Sequence, residues 1–193
     1  MGLQLITPAS AELVSLIEAK QHLRVDDDEQ NATIRSLVRA AVEMAEHLTE
    51  RQFVTATWRL TLDRFPACNG PIRLPRPPLQ SVSSITYIDP DGVEQTMPTD
   101  DYRIDCGCEP GLVRPAYDVV WPSTRTDANV VTIQFVAGYG NPAACPERAK
   151  HLAKLLLGHW YENREAVLTG AMSRPIEYAV SSLVRQLAVK EFV

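Results

Sequence analysis

PERAKHLAKLLLGHWYENRE, residues Pro146 to Glu165, is the longest run of the chain with a helical apolar stripe and a clear start. Pro146 suits a first-turn position, where a missing N–H costs nothing. Glu147 follows and matches the positive end of a helix dipole. Ala149, Leu152, Ala153, Leu156 and Trp160 recur at three- and four-residue spacing and share a face. Leu155 and Leu157 widen that face, so the helix meets more than one neighbour. It closes on His159 to Glu165, where Trp160 and Tyr161 carry an apolar body and a polar tip. Such side chains finish the rim of a core or build a subunit contact.

Upstream, Ser15 reads as an N-cap with Glu18 three residues on, the capping-box pattern, and opens a short helix to Leu23. The acidic run Asp26-Asp27-Asp28-Glu29 lacks the alternating ligands and central glycine of a calcium loop. It reads instead as the dipole-favoured start of a second helix, Glu29 to Glu50. Ile34, Leu37, Val38, Ala41, Ala45 and Leu48 form the buried stripe of that helix, and Arg35, Arg39, Glu43, Glu46 and Glu50 its other side. The opening MGLQLITPASAELVS has no basic region and only a short apolar run, which argues against a secretory leader. It reads as an extended arm able to dock on another element or subunit.

From Phe53 the period changes. Trp58, Leu60 and Leu62 alternate with polar residues as a half-buried strand. A proline-rich passage, Pro66 to Pro78, leads to a second strand at Val82 to Ile88. Asp89-Pro90-Asp91-Gly92 is a turn, and Val93 to Met97 the hairpin return. Short strands follow at Asp100 to Asp105 and Leu112 to Arg114, and a last one at Val131 to Phe135. After the organising helix a loop leads to Pro175, which opens a final helix.

The order of elements predicts an α+β protein. Two N-terminal and two C-terminal helices form a four-helix core, and a small β subdomain of short antiparallel strands is inserted between them. The divisions are 1–52 for the arm and first helices, 53–140 for the β subdomain, and 141–193 for the last helices and tail, the latter packing with 15–52.

Net charge is −5, an acidic balance that argues against general phosphate gripping. No apolar stretch approaches a membrane span. No nucleophile elbow, zinc-protease helix or phosphate loop is present. Cys68, Cys106, Cys108 and Cys145 show no C-x-x-C spacing. Cys106, Cys108, Cys145 and His151 are the one conceivable zinc set, at spacings foreign to ribbons and fingers. A cysteine/histidine metal-binding module or an enzyme of unknown reaction is therefore the alternative reading, and no cofactor is expected. Cys145 beside a helix start could have a lowered pKa, or be a small buried hydrophobe.

Three stretches in order carry a resemblance: VSLIEAKQHLRVD at 14–26, IRLPRPPLQSV at 72–82 and HWYENRE at 159–165. With them the chain resembles the head–tail connector, or adaptor, family of tailed bacteriophages, which also occurs in phage-like gene transfer particles. The resemblance implies a non-enzymatic virion protein assembled in the bacterial cytoplasm. It implies a twelvefold ring below the portal protein, extending a channel through which double-stranded DNA passes without sequence-specific binding. A tail-side stopper or terminator protein is the next partner. Carried onto this chain, the portal contact falls on the C-terminal tail, Arg185, Val189, Lys190, Phe192 and Val193. Trp160, Tyr161 and Arg164 are the subunit-interface candidates. The β block is expected to form an outer wall or the tail-facing contact.

Overall fold

The computed structural model describes residues 1–163 and 174–189. Ser15 starts the first helix as expected. Its hydroxyl accepts the N–H of Glu18 at 3.2 Å, and the Glu18 carboxylate accepts the N–H of Ser15 at 2.9 Å. The helix, α1, spans Leu16–Leu23 and stops where Arg24 turns left-handed at φ 57°. Helix α2 spans Asn31–Thr49, later than the acidic run predicts. Asp27 and Asp28 spend their carboxylates ahead of the helix, on the N–H of Glu29 and on Lys20 and Asn31. Its first turn holds no acidic residue.

Helix α3 spans Glu147–Glu162 and α4 spans Arg174–Leu187. Residues 11–54 and 140–189 form one compact unit. In it α1 touches α2 and α3, α2 touches α3 and α4, and α3 touches α4. The apolar stripe of α3 is the seam, with Ala149, Leu152, Ala153, Leu156 and Leu157 buried. Ile34, Val38, Ala41 and Ala45 answer from α2. Leu48, read as part of that stripe, is 39 % exposed. Arg51, itself buried, donates from Nε to the carbonyl of Leu187 and so satisfies an orphan acceptor at the end of α4. Glu46 accepts from the N–H of Phe53 and from Gln52 Nε2, which fixes the chain as it leaves α2.

The second unit is made of residues 1–10 and 55–139. Strand β1 (Gly2–Thr7) pairs antiparallel with β2 (Ala56–Leu62), so the arm is a strand of this unit and does not group with the first helices. β8 (Val131–Ala137) lies beyond β2, then β4 (Leu79–Ile88), then β5 (Glu94–Thr96), all antiparallel. A three-stranded sheet orders β3 (Ile72–Leu74), β7 (Gly111–Pro115) and β6 (Tyr102–Asp105). The period-two alternation sets the layers. Leu60, Ile133 and Ile85 align across three strands on the core side, while Thr61, Thr132, Thr86 and Thr96 align on the other. Leu74, Val113, Phe65 and Trp121 fill the core from the second sheet and its loops. Phe65 and Trp121 stack with centroids 4.8 Å apart. At ten residues, β4 is longer than the short strands expected.

Candidate functional site

The end of α3 is the first candidate. Trp160 and Tyr161 are half-buried there. The Tyr161 hydroxyl donates to Gln30 Oε1 at 3.0 Å and ties the end of α3 to the approach to α2. Tyr161 thus has a role inside its own chain, whatever its aromatic face meets outside. Arg164 lies outside the described residues.

The second candidate is the C-terminal stretch. α4 lays Val180 and Leu187 into the helical core and leaves Glu177, Tyr178 and Arg185 exposed, Tyr178 by 77 %. Val189 is half-buried at the end of the described chain. Lys190, Phe192 and Val193 lie outside the described residues, so the structure leaves this candidate with Arg185 and Val189 alone.

The cysteines do not assemble. Cys145 sits in the helical unit, buried, its thiol donating to the carbonyl of Phe53 at 3.3 Å. Burial pushes its pKa up, against the lowering that a position beside a helix start allowed. Cys106 and Cys108 flank Gly107 in the turn between β6 and β7 of the other unit. The Cys108 thiol donates to Asp105 at 3.0 Å, and that bond raises its pKa, while burial does the same for Cys106. All three thiols are held toward the protonated form, which is neither the nucleophile nor the metal ligand. Among the described residues no three His, Cys, Asp or Glu side chains gather as a metal set.

Two exposed features escaped the sequence reading. One is a groove of about 690 Å³ on α2, floored by Ala32, Ser36 and Ala40 and rimmed by Arg35 and Arg39, with Glu43 at its end. In sequence these arginines read as an ordinary solvated face. The signal was the small residue at every fourth position, which leaves a trough beside the charged ridge. The other is the tip of the β4–β5 hairpin, Asp91 to Glu94, where Val93 is 54 % exposed between two carboxylates. The tip is internally braced. Asp89 accepts from the N–H groups of Asp91 and Val93 and from Gln95 Nε2, and Gly92 takes φ 88°. Those bonds, from Gln95 first, hold the Asp89 carboxyl below its usual range.

Four helices with antiparallel sheets and exposed, pre-shaped surfaces define the class first: an α+β protein whose described features are faces for other molecules. The particular kinship comes from comparison. Residues 14–97 match the family described as phage gp6-like head-tail connector protein. This span holds two of the three stretches that carried the resemblance. Solved structures share the fold over the whole chain. A chain in the neck of an empty gene transfer agent particle, computed with C6 symmetry, superposes with a TM-score of 0.80 at 24 % identity, covering 100 % of this chain and 98 % of that one. A chain in the neck of the native particle, computed with C12 symmetry, gives 0.80 at 23 % identity with the same coverage. A chain in the virion of the native particle gives 0.79 at 24 %. Comparison with curated proteins finds no match.

Proposed function

We propose that this chain is a structural head–tail connector subunit in the neck of a phage or phage-like particle, and not an enzyme. The observation that carries the reading is the end-to-end likeness of fold to chains from gene transfer agent necks and virions, in a sequence whose residues 14–97 match a connector family. In this reading the four helices pack as one core and identical subunits close into a ring below the portal protein. The C6 and C12 symmetries of the similar necks support a ring, and twelve copies is the count we favour. The ring extends the DNA channel and receives a tail-side connector. A ring of identical chains needs a heterologous contact that closes, so each copy offers two different faces. The half-buried Trp160 and Tyr161, with Arg164, belong to that contact. The stretch from Arg185 to Val193 docks on the portal. An acidic chain suits a conduit that DNA traverses without being gripped.

The test is to delete the gene for this chain in a producing cell and to image the particles. Heads and tails that no longer join are expected. Joined, normally necked particles would end the reading.

A further inference from the structure

We propose that the braced hairpin tip Asp91 to Glu94 of one copy seats in the α2 groove of the next copy and forms one of the contacts that close the ring. The inference rests on the ring reading and names the two faces it requires.

Charge complementarity singles out this pair of surfaces. Arg35 and Arg39 lie one helical turn apart and are exposed on the rim. Neither makes a hydrogen bond or an ion pair among the described residues. Arginine left unpaired beside a concave floor suits carboxylates, because its planar fork can take them bidentately. The hairpin tip supplies what fits: the carboxylates of Asp91 and Glu94 on either side of the apolar Val93. Ala32, Ser36 and Ala40 leave room for a β-branched side chain where larger residues would fill the trough. The volume of 690 Å³ falls within the range of ordinary binding clefts, about 300–1,000 Å³. The tip is also pre-organised. Three hydrogen bonds to Asp89 fix its shape before any partner arrives, so little ordering entropy remains to oppose docking.

The arrangement is heterologous: groove on one copy, tip on its neighbour. Repeated by a rotation it closes a ring without using any surface twice. A second copy is preferred over DNA as occupant because Glu43 ends the groove and the chain as a whole is acidic, which disfavours a phosphate backbone there.

Charge reversal on full-length chain, co-expressed with the portal protein, tests this. Ring yield is counted by negative-stain microscopy and native mass spectrometry. Arg35→Glu with Arg39→Glu should cut ring yield by about tenfold or more, as should Asp91→Arg with Glu94→Arg. A chain carrying all four changes should recover rings, since tip and groove again carry opposite charge. Circular dichroism checks that each variant is folded. Independently, Ala40→Cys with Val93→Cys should give a covalent ladder of copies on oxidation that neither single variant gives. Unchanged yields, no recovery in a folded fourfold variant, or an absent ladder would overturn the contact while leaving a wild-type ring intact. Reversal at the groove that abolishes salt-sensitive duplex binding but spares the rings would assign the groove to DNA and overturn it equally. Wild-type chain that never rings on the portal would instead sink the ring reading itself, and this contact with it.

Discussion

Ser15 and Glu18 show how much a single pair fixes. The hydroxyl and the carboxylate each satisfy a backbone donor at the start of α1. Replacing Ser15 with alanine removes one acceptor and leaves an orphan N–H, at a cost of about 1 kcal/mol. For a chain of this size that lowers Tm by roughly 2–4 °C. An unchanged Tm would mean that water replaces the cap without loss. The Glu18 carboxyl is held below its usual range, first by the N–H of Ser15, with burial opposing and the Ser15 hydroxyl assisting. A folded-state pKa below the unfolded one means that its contribution is fully present above the unfolded value and disappears as pH falls through the folded one. The advantage of wild type over Glu18→Ala should therefore be full at neutral pH and shrink below about pH 4.3, the unperturbed glutamate value. Urea unfolding across that range reads it directly.

At the scale of elements, close approach governs the small sheet. Gly111 opens β7, and an added Cβ would lie 2.5 Å from Leu79 Cβ, a separation no two carbons tolerate. Gly111→Ala must push β7 away from the start of β4, and overpacking of this kind costs about 1–3 kcal/mol. A lower Tm with faster amide exchange in β3, β6 and β7 is expected; wild-type exchange in all three strands would refute the argument. The same scale shows what the sequence made legible. The cap of α1, the stripe of α3 and the Asp89 to Gly92 hairpin all depend on neighbours within a few positions, and each stands where its residues put it. β1 did not announce itself, because Gly2 finds its partner at Thr61 and no local period encodes that pairing. The start of α2 was misread because its acidic residues turn outward to Lys20 and Asn31 instead of serving the dipole. The order of the five-stranded sheet, with β8 between β2 and β4, is likewise a product of long-range packing. Of the candidate site residues, the sequence marked the amphipathic end of α3 and the tail, yet passed over Arg35, Arg39 and the hairpin tip. Exposed charge looks alike in a string of letters until a trough or a brace gives it a shape.

At the scale of the molecule, the argument turns on the end of α4. Leu187 is buried and its carbonyl is held by Arg51, so the helix is anchored before the last residues begin. Removing residues 190–193 therefore leaves every described helix its contacts. Those residues, Lys-Glu-Phe-Val, include one large apolar side chain, Phe192. Burying a phenylalanine in a partner contributes about 1.5–3 kcal/mol, which corresponds to roughly ten- to hundredfold in affinity. The truncated chain should keep its far-ultraviolet dichroism and lose at least about tenfold in binding to the portal protein, measured by surface-immobilised titration. Phe192→Ala alone should account for most of that loss, because the neighbouring Lys190 and Glu191 exchange solvent for a rim position at little gain. Equal affinities for truncated and intact chains would remove the tail from the portal contact and pass that role to the exposed face of α4, where Tyr178 and Arg185 stand ready to be tested next.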